Sequence, residues 1–151
     1  MPSSLHRRFT RILPKVAVLF ALAGALSGSL VGADGLKVIA NAEVKISEIS
    51  ADDLRSVFLG TLTSLKGAGP VQPVLDKDGS NLNRFAIDYL GKTSAGLETY
   101  YRSLVFTGKW SMPVSFATDT EVVAFVARTR GAIGFVRETT PSEQVKTLRV
   151  K

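Results

Sequence analysis

The chain has 151 residues, with 19 Lys and Arg against 13 Asp and Glu, and it contains no Cys and a single His, His6. His6 lies close to the N-terminus and the chain has no Cys. The rest of the chain therefore has no imidazole base, no thiolate nucleophile and no His or Cys ligand for zinc. The composition therefore excludes disulfide scaffolds and the enzyme classes that depend on His or Cys.

Residues 1–33 are predicted to form a secretory signal peptide, which places the protein in the periplasm or outside the cell. A basic start without acids precedes the apolar run VAVLFALAGAL, and Val31 and Ala33 supply small residues for cleavage before Asp34. The rival interpretation is a retained anchor. Gly and Ser residues break the run, which is shorter than the roughly 20 residues of a span, and this favours cleavage.

Residues 34–151 are predicted to form one domain with one core. This segment keeps 15 cations and 13 acids, so the basic character of the chain comes largely from its first 33 residues. Its cations are scattered, whereas nucleic-acid binding requires a clustered basic face. We therefore expect no nucleic-acid partner.

The first half of the domain predicts a strand, a helix and a second strand. LKVIAN, residues 36–41, is a buried strand pattern. In ISADDLRSVFLG, Ser50 is placed to cap a helix that ends at Gly60. VQPVLD follows as a strand, in which Pro73 predicts an edge position or an irregular start.

The second half predicts three helices and two strands. Ser80 or Asn81 is expected to cap a helix that Gly91 ends, and a second helix covers residues 94–105. Thr118 forms a capping box with Glu121, three positions later, at the start of a third. GAIGFV predicts a central strand and VKTLRV a final one. Helices between strands favour an α/β layered domain with a mixed, mostly parallel sheet.

The stretch LDKDGSNLNRF allows two interpretations. Gly79, Ser80 and Asn81 are placed where backbone N–H groups at a helix N-terminus bind an oxyanion, with Arg84 or Lys77 as an assisting cation. Alternatively, Ser and Asn are present because helices need caps, and Gly because the turn needs its conformational freedom. The residues alone leave both interpretations open.

The ordered segments resemble the periplasmic substrate-binding proteins of phosphate-type ABC transporters, particularly their short, single-lobe members. The resemblance rests on IAN, ISADDLRSVFLG, the GSN turn that opens a helix, the isolated Trp110 and RTRGAIGFV, and it spans nearly all of residues 34–151. It implies a type 2 periplasmic-binding fold, an export signal and an oxyanion ligand held without a metal or cofactor.

Two departures from this family stand out. Full-length members hold phosphate with an Arg and, after three intervening residues, a Ser-Gly-Thr sequence. Aligning that pattern on Ser80 puts Asp76 at the Arg position, Asn81 at the Gly and Leu82 at the Thr. The chain also has room for about one of the two lobes, so a partner or a second copy would have to supply the other wall of a closed cleft.

The leading hypothesis is a non-enzymatic, exported solute-binding module for phosphate or another small oxyanion. The alternative is a cell-envelope interaction module that keeps the fold without the ligand and contacts its partner through the Trp110 loop. An exported hydrolase is the weakest hypothesis, because the chain has no G-x-S-x-G sequence and no metal-ligand spacing.

Overall fold

A computed structural model describes residues 35–151, and the predicted signal peptide lies outside the described residues. The strands of this part are β1 (Leu36–Ala40), β2 (Glu48–Ile49), β3 (Ser64–Leu65), β4 (Gly69–Pro70), β5 (Gln72–Asp76), β6 (Val114–Phe116), β7 (Ala132–Arg137) and β8 (Lys146–Val150). The α-helices are α1 (Ala51–Phe58), α2 (Gly79–Phe85), α3 (Ser94–Phe106) and α4 (Asp119–Arg128). A π-helical turn, Ala86–Leu90, continues α2.

Six of these strands form one sheet in the order β2-β8-β1-β7-β5-β6. β1 pairs antiparallel with both β7 and β8. The other three pairings are parallel, so β1 alone runs against the remaining strands. The predicted α/β fold with a mixed, mostly parallel sheet is confirmed, and β7 is central as its sequence GAIGFV predicted.

Helices cover both faces of the sheet. Phe58 of α1, Phe85 of α2 and Tyr101 of α3 belong to the core on one face, whereas Val122 and Val126 of α4 belong to the core on the other. Alternate residues of β1 and β7 point into the two cores, as the two-residue period of a strand requires. Burial of both faces explains why the sequences of these strands are almost continuously apolar.

Three aromatic rings fix α1 and α2 on the sheet. Phe85 stacks on Phe135 of β7 with ring centroids 3.9 Å apart, and its ring also meets Phe58 edge-on at 4.8 Å. All three side chains are fully buried. This packing holds the start of α2 close to the end of β5.

Two of the predicted helix caps are confirmed. The Asp53 backbone N–H donates to Ser50 Oγ at 3.0 Å, and Thr118 with Glu121 forms the complete capping box. The expectation for α2 is wrong, because Asp78 occupies the N-cap position and Ser80 and Asn81 lie inside the first turn. Asn81 does not cap because its side chain is buried and bonded elsewhere, as described below.

Other differences concern short or irregular elements. β2, β3, β4 and β6 have two or three residues each, too few for a hydrophobic period to appear in the sequence. β5 lies between β7 and β6, so it is not an edge strand. Pro73 is tolerated because its pairing with β7 precedes the first residue paired with β6, Val74.

Two glycines allow close packing around β7. A Cβ on Gly134 would lie 3.1 Å from Val122 Cγ1, so the glycine lets α4 approach the sheet. Gly131 has a φ of +77°, and a Cβ there would lie 2.5 Å from the carbonyl oxygen of Pro70. The turn before β7 therefore requires glycine for both its conformation and its contact.

Gly131→Ala is expected to lower the free energy of unfolding by about 3 kcal/mol, because it adds overpacking to the cost of a left-handed residue. Gly108→Ala is the matched control, since Gly108 has a φ of +67° and open space around it. It is expected to cost about 1 to 2 kcal/mol, the left-handed conformation alone. Urea unfolding of both variants measures the difference, and equal losses would show that the Pro70 contact is unimportant.

Candidate functional site

The candidate site lies at the carboxyl edge of the parallel strands. β5 ends at Asp76 and β6 at Phe116, and α2 and α4 begin within three residues of these ends. Ligands of open α/β sheets bind beyond the carboxyl ends of such strands. The fold therefore brings the polar stretch singled out in the sequence to the edge where a binding site is expected.

The turn from Lys77 to Ser80 connects β5 to α2 and faces solvent. The Lys77 backbone N–H donates to the Phe116 carbonyl at 2.8 Å, which ties the turn to β6. Asp78 makes no side-chain capping bond, although it occupies the N-cap position. The first N–H groups of a helix have no intrahelical partner, so those of Gly79 and Ser80 are left for solvent or a ligand.

A groove of about 290 Å³ opens beside this turn, between α2 and α3. Leu75, Leu97 and Tyr101 contribute buried surface to it, and its lining also includes Lys77, Gly79 and Glu98. The groove has the apolar lining with a few polar groups that small-molecule sites share, and its volume is at the lower end of their range.

A buried polar cluster lies beneath the turn. Asp76, Asn81 and Asp119 are exposed by only 0%, 4% and 3%. Asn81 Nδ2 donates to Asp76 Oδ2 at 2.8 Å and to Asp119 Oδ1 at 3.0 Å, so one amide group joins two carboxyl groups. The other oxygen of Asp76 accepts from the Asp78 backbone N–H at 2.9 Å, which shapes the turn directly.

Asp119 connects the cluster to the end of β7. Its Oδ2 accepts from Arg137 Nε at 2.8 Å, from the Arg137 backbone N–H at 3.3 Å and from the Thr140 hydroxyl. Arg137 is half-exposed, and its ion pair with Asp119 is the contact that places a positive charge on the cluster. Within residues 35–151 this cluster leaves no buried side-chain nitrogen or oxygen without a hydrogen bond.

The two carboxyl groups have opposite pKa shifts. Burial and, after it, the neighbouring Asp119 carboxyl group raise the pKa of Asp76 to about 7. Burial disfavours the ionised form of Asp119 too, but hydrogen bonds from Asp76, Thr140 and Arg137 outweigh it and hold the pKa of Asp119 below its usual range. Below about pH 7 the pair therefore carries one proton, on Asp76, and the ionised Asp119 is compensated by Arg137.

The structure gives the sequence-predicted residues different surroundings. Lys77, Gly79 and Ser80 are exposed at the turn, and Ser80 Oγ donates to Asp78 Oδ1 at 3.1 Å. The Asn81 side chain is committed to the buried carboxyl groups. Arg84 is exposed one turn further along the helix, where its Nε lies 3.6 Å from Asp88 Oδ2.

Asp119, Arg137 and Thr140 were missed by the sequence analysis. Asp119 follows the capping residue Thr118 and has the pattern of an ordinary acid in a first helical turn. The sequence contains one signal that Asp76 is buried, because this acid directly follows the apolar residues of a strand that is covered on both faces. No sequence spacing indicates that these residues meet, since the contact depends on β7 lying next to β5.

Trp110 packs against its own domain. Its ring lies 5.6 Å from that of Tyr101, and the indole covers Gly60, where a Cβ would come within 2.5 Å of it. The side chain is partly buried, so most of its role is in closing the core beneath the loop. This contact gives Trp110 a packing role within its own domain.

Within residues 35–151, no helix is long and apolar enough to cross a membrane, and no group of three or more acidic, His or Cys side chains could hold a metal ion. The chain matches no protein-family model. No curated protein matches it by sequence.

Solved structures share the fold. An ABC-type phosphate transport receptor from Vibrio cholerae matches with a TM-score of 0.52 at 14% identity, over 77% of this chain and 46% of the receptor. A protein from Clostridium perfringens, described as a phosphate ABC transporter substrate-binding protein with bound phosphate, gives 0.56 at 16% identity, over 77% and 44% of the two chains. PstS from Borrelia burgdorferi gives 0.54 at 15% identity, over 77% and 47%.

These matches confirm the predicted resemblance at the level of the fold. Each covers most of this chain but less than half of the other protein, so the chain spans less than half the length of the receptors that it resembles. This partial coverage fits the short, single-lobe type predicted from the sequence.

The stability of the protein is expected to fall as the pH rises from about 4 to about 7. Folded Asp76 keeps a proton that the unfolded chain releases in this range, so the free energy of unfolding decreases by at most about 1.4 kcal/mol per pH unit. Asp119 has the opposite effect at lower pH, because its lowered pKa stabilises the folded state only where the unfolded carboxyl is ionised.

Urea unfolding across this pH range measures the slope. Asp76→Asn removes the titrating group and is expected to flatten it, whereas Asp78→Asn, in the same turn, is expected to retain it. A wild-type slope that persists in Asp76→Asn would assign the pH dependence to another group.

Proposed function

We propose that this chain is a one-lobe solute-binding module that binds phosphate or another small oxyanion at the Lys77–Ser80 turn. The observation that carries the proposal is the uncapped start of α2 beside Lys77, at the carboxyl edge of the sheet and at the mouth of the groove. The likeness of the fold to phosphate receptors supports the same ligand class.

The anion would contact backbone rather than an arginine clamp. The N–H groups of Gly79 and Ser80 point out of the helix start, where the positive end of the helix dipole favours negative charge. Lys77, which is exposed, adds a flexible cationic donor at the same edge. The Asn81 amide supports this arrangement from below by holding Asp76 and Asp119 together.

Asp76 does not repel such a ligand in the way its sequence position suggests. Its side chain is fully buried and points away from solvent into the polar cluster. Because its pKa is raised to about 7, it is largely protonated below neutral pH and then adds little negative charge beneath the turn. The substitution of an acid for the family's Arg is therefore compatible with weak anion binding.

The groove is open to solvent on one side, and this limits the affinity. A single lobe leaves the anion partly hydrated, so each hydrogen bond contributes less than in a closed cleft. A second copy or an envelope protein would have to supply the missing wall for tight capture. The proposal includes an exported, non-enzymatic role beside an ABC transporter, with the signal peptide at residues 1–33 as its export signal.

Gly79→Pro is expected to reduce sulfate or phosphate affinity about tenfold or more. Proline removes the N–H of Gly79, and a hydrogen bond to a charged group contributes about 1.5–3 kcal/mol. The backbone accepts the change, because proline suits the first position of a helix and Asp78, with φ −54° and ψ 118°, is close to the conformation that precedes proline. Calorimetric titration measures the loss.

Gly79→Ala is the matched control, since it keeps the N–H and its Cβ meets nothing within 4 Å. It is expected to bind as the wild type does. Thermal melts of both variants without ligand check that the fold is intact. Equal affinity in the two variants would place any anion site elsewhere, and no saturable heat from the wild type would remove the proposed function.

The alternative is a protein-interaction module of the cell envelope, and one observation favours it. Phe106, at the end of α3, is 93% exposed and its neighbour Val105 is 45% exposed. Adjacent apolar side chains in solvent mark interaction surfaces more often than isolated ones do. In this alternative Phe106→Ala weakens association with the partner and leaves anion binding unchanged.

A further inference from the structure

We propose that the buried Asp76–Asp119 pair makes anion binding at the Lys77–Ser80 turn proton-linked, so that the turn binds an anion more weakly once Asp76 ionises. This inference rests on the proposed function, because it describes how the same site is regulated. It concerns Asp76 as a positioning residue that has no contact with the ligand.

The geometry of the cluster implies a shared proton. One Nδ2 atom, that of Asn81, donates to both carboxyl groups, so the two groups are close neighbours in a region without exposure to water. The cluster contains one cation, Arg137, and its Nε bonds to Asp119. One guanidinium compensates one of the two carboxylates, and a proton on Asp76 removes the second charge.

The charged groups around Asp76 support this assignment. Asp119 faces it from the start of α4, Arg137 approaches from the end of β7, and Asp78 follows it in the turn. Asp119 and Asp78 are both acids, and the Lys77 side chain lies on the exposed side of the turn. The raised pKa of Asp76 agrees with the surroundings that this geometry describes.

Asp76 acts on the turn through a single hydrogen bond and through its charge. Its Oδ1 accepts from the backbone N–H of Asp78, the residue immediately before the helix start. Ionisation would place a second negative charge beneath Gly79 and Ser80 and would push the Asp76 carboxylate away from Asp119. The second charge opposes an anion at the turn, because like charges repel and the buried Asp76 carboxylate is less screened by water than an exposed one.

Linkage makes the effect reciprocal. If the protonated form binds the anion more tightly, then binding must raise the proton affinity of Asp76 by the same factor. Near pH 7 the protein would therefore take up a fraction of a proton when the anion binds. The protein would therefore bind the anion more tightly under mildly acidic conditions and release it more readily under alkaline ones.

The test is calorimetric titration of the purified protein with sulfate from about pH 5 to about pH 9. Sulfate is preferred to phosphate because it stays a dianion across this range, so any pH dependence belongs to the protein. The wild type is expected to lose several-fold in affinity between the two ends. Titration near pH 7 in two buffers of different ionisation enthalpy is expected to show proton uptake.

Two variants separate the possible outcomes. Asp76→Asn is expected to give a flat pH profile and no proton uptake. Asp78→Asn removes a charge from the same turn without touching the buried pair, and it is expected to raise affinity at every pH and keep the slope. A slope that survives in Asp76→Asn, or a flat wild-type profile, overturns the inference.

Failure of the proposed function gives a different result. If sulfate produces no heat at any pH, the anion site and the linkage both fall. Carboxyl carbon NMR then still reports whether Asp76 titrates near neutral pH. Proton–nitrogen correlation NMR reports whether the Gly79 and Ser80 amide signals move with it. Binding without this common titration would leave the proposed function standing and remove only the proton linkage.

Discussion

The edge of the sheet depends on neutralising two buried carboxyl groups with one guanidinium and one proton. Asp76 ends β5, Asp119 begins α4, and Arg137 ends β7, so their contacts join three elements that are distant in the sequence. An isolated carboxylate in this position would cost several kcal/mol. The cluster is stable because Arg137 balances Asp119 and because Asp76 keeps its proton. The turn that follows Asp76 takes its shape from this arrangement.

The aromatic core supports the same turn from the other face of the sheet. Phe85 stacks on Phe135, which fixes the axis of α2 relative to β7. Asn81 lies one turn before Phe85 on the same buried face of the helix, and its side chain bonds to the polar cluster. The start of α2 is thus held by apolar packing and by hydrogen bonds together, while its exposed side keeps Gly79 and Ser80 in solvent. Rigid support beneath an accessible backbone is what an anion site requires.

The same cluster contains the acid that stands where the resemblance predicted an Arg. An ionised Asp in that position repels an anion instead of binding it. Burial changes this, since the carboxyl group points inward and its pKa is raised to about 7. The proposed site uses backbone N–H groups and one lysine as its binding groups. We expect such a site to depend more on pH than one that uses an arginine, which stays charged throughout.

The sequence by itself determined the α/β class, the caps at Ser50 and Thr118 and the central strand GAIGFV, because hydrophobic period and capping are local properties. It also located the polar turn at the start of α2. Only the tertiary structure decided what surrounds that turn. Asp76, Asn81 and Asp119 meet because β7 lies beside β5 and α4 packs across them, and strand order leaves no trace in local spacing. Whether a carboxyl group is buried and protonated depends on these neighbours, so its chemistry could be assigned only in the folded chain.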